Sequence, residues 1–419
     1  MNTIRNAMAA LGGVALLVAG TSAAAPVDAD GEAGFRSLYE ELVEIDTTLS
    51  NGSCTRAAEA MAGRLHAAGM PASNIQVLAP EDRPKSGALF ADYHGTDRSL
   101  KPIMLLAHID VVEARREDWE RDPFTLVEEN GYFYARGSSD DKAMAAVLTD
   151  TLVRFLQQGY RPKRGLRLAL TCGEETPDKF NTIEWLLRTK PEMLQAEFVL
   201  NEGAGGLRGR DGKPVALEIQ AGEKTVQNFT LSTTNPGGHI SRPVRENAIV
   251  QLAAGVTRLA AFQFPVQLND TTRAYFTAQA GLSAPEIAAD MRAIVANQND
   301  AEAAAWLWTA NPSWNGMLRT TCTTTVIDGG HASNALPQRA TANVNCRILP
   351  GVPLIPTMTT GGTDGRFLNA AGIHTYGLSG MLTPAEDNGA HGLNERMQVQ
   401  ALMEGRPFLY EVIRIYSSN

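Results

Sequence analysis

Clusters of basic residues are missing from this chain of 419 residues. It has 37 Lys and Arg residues against 46 Asp and Glu residues, a formal net charge of −9 at pH 7, and no run of Lys or Arg. Such a surface repels phosphate groups, so the composition argues against a nucleic-acid partner and against an anionic membrane surface. A small or neutral substrate suits this charge better.

Cysteine is also scarce. The four cysteines are Cys54, Cys172, Cys322 and Cys346, and they show no C-x-x-C spacing, which argues against a zinc knuckle. Cys322 and Cys346 lie in two β-rich runs joined by a turn-rich segment, so one interpretation is a disulfide across a hairpin. The other interpretation, and the simpler one, is that the cysteines are buried free thiols.

Long apolar runs are absent after the first 25 residues. Residues 7–20 form a short apolar run after Arg5, and the small residues 22–25 follow it. This pattern is typical of a secretory signal, whereas no later segment approaches 18 continuous apolar residues. We therefore expect a signal peptide at 1–25, a periplasmic or secreted protein, and no membrane partner.

The sequence does contain strands that alternate with helices, and its length favours about two domains. Apolar runs at 88–93, 103–107, 166–171 and 198–200 alternate with helical patterns at 142–156 and 182–187. They predict an α/β layer with a largely parallel, buried sheet. Strands at 226–232, 320–327 and 340–348, with helices between them, then predict an α+β domain. We interpret the chain as one α/β domain in two parts, 26–222 and 351–419, with the second domain inserted at 223–350.

Histidine and carboxylate residues follow the predicted strands or lie in the loops of the same α/β layer. They are His108, Asp140, Glu174, Glu175, Glu202 and His391. Taken alone, each has a structural explanation, such as a core histidine or an acid that caps a helix. Ligands bind at the carboxyl ends of parallel strands, so their joint position predicts a metal site. Of the adjacent pair, one glutamate would bind metal and the other would act as general base.

Six short motifs carry a resemblance to a known family. They are AHID at 107–110, YARGSSDDK at 134–142, GEE at 173–175, NEG at 201–203, GGH at 237–239 and HGLNE at 391–395. In this order they resemble the di-zinc exopeptidases and deacylases of the acetylornithine deacetylase, succinyl-diaminopimelate desuccinylase, carnosinase and carboxypeptidase G family. The resemblance covers nearly the whole chain after the signal. It implies a zinc-exopeptidase-like α/β catalytic domain with an inserted α+β lid domain.

The resemblance implies a cofactor of two zinc ions, with other divalent metals as the alternative. His108 and Glu202 would hold one ion, and Glu175 and His391 would hold the other. Asp140 would bridge both ions.

Further roles around the ions follow from the same resemblance. Asp110 would orient His108, and Glu174 would be the general base that activates the water between the ions. A cis peptide bond between Asp140 and Asp141 is also implied.

The inserted lid would supply substrate contacts. His239 resembles the lid histidine that stabilises the oxyanion, in many members from the partner subunit of a dimer. Asn334 and Arg347 resemble lid residues that contact substrate, and Arg347 suits bidentate binding of a carboxylate, with a surface salt bridge as the alternative. Gly362 and Thr363 lie in a turn that resembles the loop at the substrate end, although any tight turn needs such glycines.

One departure from the family concerns the lid. In relatives, further lid elements follow the strand that carries the matching arginine, whereas here residues 347–351 run straight into 352–356. We therefore expect a truncated lid that exposes unpaired backbone and apolar surface, with Arg347 and His239 poorly positioned. A homodimer is doubtful for the same reason.

The predicted function is zinc-dependent hydrolysis of a peptide amide bond next to a free carboxylate. Export favours peptides as substrates, and an N-acyl amino-acid deacylase is the alternative. A secreted binding protein that keeps the fold without turnover is the alternative from another class. The complete ligand set together with Glu174 favours the enzyme.

Overall fold

The computed structural model of the protein describes residues 29–176, 179–208, 213–242, 244–348, 357–359, 362–384 and 389–418. The predicted signal peptide at 1–25 lies outside them. Among the described residues, none of the helices is both long enough and apolar enough to cross a membrane.

The elements alternate along the chain in the predicted way. The described helices are α1 (Ala29–Glu44), α2 (Cys54–Ala67), α3 (Lys142–Gln157), α4 (Thr182–Thr189), α5 (Ala248–Ala261), α6 (Asp270–Gln279), α7 (Pro285–Ala296), α8 (Ala301–Ala310), α9 (Pro312–Leu318), α10 (Gly365–Ala370) and α11 (Val399–Ser418). The first described strands are β1 (Ile75–Leu78), β2 (Ala88–Tyr93), β3 (Ile103–His108), β4 (Val127–Glu129), β5 (Tyr132–Tyr134), β6 (Leu166–Thr171), β7 (Val199–Asn201), β8 (Gly206–Arg208), β9 (Pro214–Leu217) and β10 (Gln220–Glu223). They are followed by β11 (Thr225–Thr234), β12 (Gly238–His239), β13 (Thr321–Gly329), β14 (Ala335–Leu336), β15 (Arg339–Ile348), β16 (Thr357–Thr359), β17 (Thr375–Gly377), β18 (Leu382–Pro384) and β19 (Arg396–Gln398).

The central sheet has the strand order β1-β2-β6-β3-β7-β17-β10-β16. Its middle is parallel, from β6 through β3 and β7 to β17, and antiparallel pairs join β1, β2 and β6 on one side. Every residue of β3 is buried, because α1, α2, α3 and α11 cover one face and α4 and α10 cover the other. This explains why the parallel strands read as continuous apolar runs, and it confirms the predicted α/β class.

Helix α3 leads from the site into the core. Every residue from Lys142 to Leu152 is buried, as expected of a helix packed between the sheet and other helices. Lys142 donates hydrogen bonds to the carbonyl oxygens of Val43 and Ile45, at 3.3 and 2.7 Å, where α1 ends. These contacts fix the start of α3, and with it Asp140 two residues earlier.

A second sheet forms the inserted lid, in the order β11-β15-β13, all antiparallel. Helix α5 covers one face, where Ala248 and Leu252 pack on Ala340 and Ala342. The chain passes from the central sheet to this one between Glu223 and Thr225. The domain boundaries themselves stay a prediction.

The described part of the lid sheet has three strands, and the short link at 349–356 lies outside the described residues. Phe229 on β11 and Ile327 on β13 are 49% and 62% exposed. A lid with uncovered apolar side chains on its outer strands is what the shortened sequence predicts. Helices α6 to α9 pack around a separate small core that includes Phe276, Met291 and Leu307.

All four cysteines form disulfides, so the interpretation as free thiols is wrong. Cys322 and Cys346 face each other across the β13–β15 pair, which confirms the other interpretation. Cys54 and Cys172 are 118 residues apart in sequence, and no local pattern points to their pairing.

Candidate metal centre

The first half of the site lies where β3 ends. His108 is the last residue of this strand and is buried. Its Nε2 lies 3.1 Å from Asp140 Oδ1 and 3.7 Å from Glu202 Oε1. Glu202 comes directly after β7, the strand next to β3, so the parallel sheet brings both side chains to one edge.

The second half shares Asp140 with the first. His391 Nε2 lies 3.1 Å from Asp140 Oδ2 and 2.9 Å from Glu175 Oε2. The two oxygens of one carboxylate therefore face two different histidines. Glu175 reaches the site from the end of β6, after Gly173, whose φ of +92° turns the chain. A Cβ at Gly173 would lie 2.2 Å from the Phe180 carbonyl oxygen, so this turn requires glycine.

Asp140 is held by a carboxylate on a distant segment. Glu395 accepts hydrogen bonds from the backbone N–H groups of Gly137, Ser139 and Asp140, each at 2.9 Å, and from Arg136 Nη1 at 2.7 Å. Glu395 is fully buried. The sequence motif that contains His391 also contains Glu395, but nothing in the motif shows that Glu395 positions the loop of Asp140. The peptide bond between Asp140 and Asp141 is cis, as the resemblance implies.

Asp110 links the two halves in a way that differs in part from the prediction. His108 Nδ1 faces the backbone oxygen of Asp110 at 3.0 Å, whereas the nearer carboxylate oxygen is at 3.7 Å. The carboxylate instead accepts hydrogen bonds from the backbone N–H groups of Glu174 at 3.3 Å and Glu175 at 3.0 Å. Asp110 therefore orients the imidazole through its main chain and fixes the two glutamates through its side chain.

The electrostatics of the site show the effect of crowding carboxylates in a buried space. Burial raises the pKa of Glu202 to about 7, against the opposing effect of His108. Burial and then Glu202 raise the pKa of Glu174 well above its usual range. Burial also favours the neutral form of Asp140, yet hydrogen bonds from His108 and His391 hold its pKa below the usual value. Hydrogen bonds from His391 to Asp140 and to Glu175 in turn raise the pKa of His391 to about 10.

The donor set fits a pair of divalent cations. His108, Asp140 and Glu202 bring one ligand atom each to within 4.8 Å of one another, and so do Asp140, Glu175 and His391. Imidazole nitrogens and carboxylate oxygens are the ligands of catalytic zinc. Glu175 Oε1 is buried without a hydrogen-bond partner, which leaves a ligand position open. Two cations would neutralise the carboxylates that burial otherwise disfavours.

The predicted lid residues divide into two groups. His239 at the end of β12 and Asn334 just before β14 are both exposed and lie close together, because the carbonyl of Asn334 accepts a hydrogen bond from Ile240 N. His239 Nδ1 contacts Ser241 Oγ at 2.8 Å. Within the part of the chain that the structure describes, neither His239 nor Asn334 contacts the metal ligands.

Arg347 is placed differently. A Cβ at Gly362 would lie 3.6 Å from Arg347 Nη1 and 3.0 Å from Arg366 Nη1, so a glycine there lets two guanidinium groups approach the turn. Burial and then Arg366 lower the pKa of Arg347, whereas the charge of Glu174 acts to raise it. Arg347 therefore lies at the Gly362 turn, where the charge of Glu174 acts on it, and its poor positioning for the substrate stays a prediction.

The turn after Gly362 is tied to the strand ends. Thr363 Oγ1 accepts from Asn201 Nδ2 at 2.9 Å, and Asp364 accepts from Thr171 and Asn181, both at 2.6 Å. Asp364 is buried, and sequence reasoning assigned it no role. Asp364 directly follows Thr363 in the glycine turn, and this position is the sequence feature that could identify it as part of the site.

A comparison with known protein families gives a match over most of the chain. A model of "Peptidase family M20/M25/M40" matches residues 104–415. The chain belongs to this peptidase family. The matched range contains every residue assigned to the candidate metal centre.

Two curated relatives of this M20 chain show how their names differ. The N-fatty-acyl-amino acid synthase/hydrolase PM20D1 of Mus musculus is 33% identical over 272 residues, which are 61% of this chain and 51% of that protein. A probable carboxypeptidase S-like 2 of Dictyostelium discoideum is 30% identical over 284 residues, 63% of this chain and 51% of that protein. The chain spans about half the length of these relatives.

Solved structures share the M20 fold at low identity. The M20 family metallo-carboxypeptidase Sso-CP2 from Sulfolobus solfataricus has a TM-score of 0.69 at 16% identity, and the match covers 91% of this chain and 99% of that one. Human carnosine dipeptidase 1 has a TM-score of 0.63 at 14% identity and coverages of 92% and 96%. These matches confirm the predicted α/β fold with a lid domain.

Proposed function

We propose that this M20 chain is a metal-dependent hydrolase that cleaves a peptide amide bond next to a free carboxylate. One observation carries the proposal. The two groups of candidate ligands share the carboxylate of Asp140, and Glu174 lies beside them with a raised pKa. A structural acid cluster would not need a second histidine, His391, on the far oxygen of the shared carboxylate.

The proposed cofactor is two zinc ions, which would be held by His108, Asp140, Glu175, Glu202 and His391. Bound there, they would supply Lewis acidity at the scissile carbonyl and lower the pKa of the attacking water.

The protein residues would move the proton. Glu174 would accept a proton from the attacking water and deliver it to the leaving nitrogen. Its raised pKa suits this task, because an acid with a pKa nearer to neutrality both accepts and releases a proton readily.

Arg347 is the proposed partner of the free carboxylate of the substrate. Its Nε is held by Asn345 Oδ1 at 3.0 Å, and its Nη1 lies near Gly362 at the turn. A guanidinium that is fixed on one side can present its remaining N–H groups to a carboxylate. We keep His239 as the proposed oxyanion ligand and Asn334 as a proposed substrate contact.

N-acyl amino acids are the second candidate substrate class. The observation in favour is the identity of 33% to a curated N-fatty-acyl-amino acid synthase/hydrolase. Such a substrate has the same two features as a peptide with a free carboxy terminus, an amide bond and an α-carboxylate next to it. The proposed reaction is the same for both classes.

A matched substrate panel tests the function. A dipeptide, its carboxy-terminal amide and an N-acyl amino acid with the same last residue would be compared by kcat/KM. We expect the amidated dipeptide to be at least ~10²-fold poorer, because the half-buried guanidinium of Arg347 would lose its partner. Equal rates for the free and amidated dipeptides would contradict the proposal, and the ratio of the other two substrates decides between peptidase and deacylase.

The place of action is proposed to be the periplasm or the extracellular space. The support is the signal-like sequence at 1–25. The two disulfides also suit an oxidising compartment.

A further inference from the structure

A cavity lies in the lid, apart from the candidate metal centre. None of its described lining residues is a candidate metal ligand. It has a volume of about 470 Å³ and lies between the end of α5, the helices α8 and α9, and the start of β13. We call it the lid groove and define it by Leu259, Phe262, Trp308, Asn315 and Arg319. Cavities of this size hold small organic ligands.

One wall of the lid groove is apolar, whereas threonines at the start of β13 line the opposite side. Val256, Leu259, Phe262, Phe264 and Trp308 contribute aliphatic and aromatic surface. Phe262 is 59% exposed and Trp308 is 41% exposed, although burial of a large aromatic side chain usually stabilises the folded protein. An apolar ligand in the groove would cover part of this surface.

One wall carries a cation, Arg319, for which the described residues supply no acidic partner. Arg319 is 8% exposed, and its Nη1 donates to Gln263 Oε1 at 3.3 Å and to the Phe264 carbonyl oxygen at 3.2 Å. Its Nε is buried and has no hydrogen-bond partner. This atom lies on the edge of the guanidinium that binds a carboxylate with two parallel hydrogen bonds.

A second cation lies close to the backbone of Arg319. Lys224 is fully buried and donates hydrogen bonds to the Arg319 carbonyl oxygen at 3.0 Å and to Thr321 Oγ1 at 3.1 Å. Among the described residues that line the lid groove, none is acidic, in a chain whose net charge is −9. Asn315, also in the wall, is 9% exposed, and its Oδ1 is buried without a partner.

We propose that the lid groove binds an amphipathic monocarboxylate of the fatty-acid class. The carboxylate would pair with Arg319, and the hydrocarbon chain would lie along Leu259, Phe262 and Trp308. Charge complementarity selects this ligand, because a buried guanidinium gains most from an anion and the apolar walls disfavour a small hydrated one. The proposal does not depend on the hydrolase activity proposed above.

Calorimetric titration of the metal-loaded chain with octanoate tests the proposal. We expect one binding site outside the metal centre, with 1-octanol and acetate each binding at least about tenfold more weakly, because each lacks one of the two features. Arg319→Leu should weaken octanoate binding by at least about tenfold. Arg258→Leu removes an exposed arginine on α5 that does not line the groove, and it should leave the affinity unchanged.

A second variant protects the test against misfolding. Ala260 is exposed and lines the groove, so Ala260→Trp should fill the groove without disturbing the core. It should also abolish octanoate binding and leave the KM for the dipeptide unchanged. Octanoate binding that survives both Arg319→Leu and Ala260→Trp would overturn the proposal. A dimer in sedimentation that closes the groove, with no octanoate bound, would overturn it as well.

Discussion

Glu395 shows how one residue can organise a site without being a metal ligand itself, because it holds the backbone of the shared ligand Asp140. Its carboxylate accepts four hydrogen bonds, from Arg136 and from three backbone N–H groups that end at Asp140. In Glu395→Gln, an NH2 group would face backbone donors and Arg136 would lose its counter-charge. We expect a loss of about 3–5 kcal/mol in the free energy of unfolding, measured by urea denaturation, because a buried ion pair is broken. Metal affinity should fall in the same variant.

The matched control for Glu395→Gln replaces an exposed glutamate, Glu129, with glutamine. Glu129 pairs with Arg121 on an exposed hairpin, and 45% of the Glu129 side chain is accessible. Glu129→Gln should cost less than about 1 kcal/mol. An equally small cost at Glu395 would show that the carboxylate does not hold the loop of Asp140.

The neighbouring residues Glu174 and Glu175 should respond differently to the same change. Glu175 Oε2 lies 2.9 Å from His391 Nε2 within a ligand group, so Glu175→Gln should lose metal. Glu174→Gln should keep its metal content and lose at least ~10²-fold in kcat, because proton transfer is lost. Metal analysis and kcat for both variants check this. Equal metal loss in both would mean that the two roles are wrongly assigned.

Among the elements, α3 and α11 are joined by a buried ion pair. Arg406 on α11 donates to both carboxylate oxygens of Asp150 on α3, at 2.7 and 3.2 Å. Arg406→Leu should reduce the free energy of unfolding by about 3–5 kcal/mol, since it leaves Asp150 charged and unpaired in the core. The double variant Arg406→Leu/Asp150→Leu should recover most of that loss. Urea denaturation of both variants measures it, and a double variant as unstable as the single one would contradict the explanation.

The Cys54–Cys172 disulfide joins the start of α2 to the residue after β6, two positions before Glu174. The bond closes a loop of 118 residues. Replacing both cysteines with serine should lower the free energy of unfolding by up to about 4–5 kcal/mol, because the unfolded chain gains conformational freedom. Thermal unfolding with and without reductant checks this prediction. A wild-type melting temperature that reductant does not change would show that the bond does not contribute.

The elements that the sequence predicts well are those with a strong local pattern. The runs predicted at 88–93 and 166–171 coincide with β2 and β6, because strands buried on both faces consist mostly of apolar residues. The small sheet β4-β5-β19 was not predicted, since it pairs 132–134 with the distant segment 396–398. His108, Glu175 and Glu202 lie at or just after strand ends, which local sequence reveals. Tertiary packing brings Glu395 and Asp364 to their hydrogen-bond donors, and local sequence does not reveal that packing.

For the whole molecule, the lid is where departure from the family has physical consequences. In the described part of the lid, β15 is the central strand and β11 and β13 are the outer strands. Hydrogen exchange should therefore be slowest in Arg339–Ile348 and faster in the outer strands, whose outer edges lack a partner strand. Uniform strong protection of all three strands, with normal peptidase turnover, would show that the shortened lid is complete.

We propose that this chain assembles two cations around the shared carboxylate of Asp140. The most direct measurement is the metal stoichiometry of the purified chain, by mass spectrometry of the elements, for the wild type and for Asp140→Ala. We predict two divalent ions per wild-type chain, since both ligand groups include Asp140, and a large loss of both ions in Asp140→Ala. A wild-type chain that contains no metal and hydrolyses amides in the presence of chelator would contradict the claim.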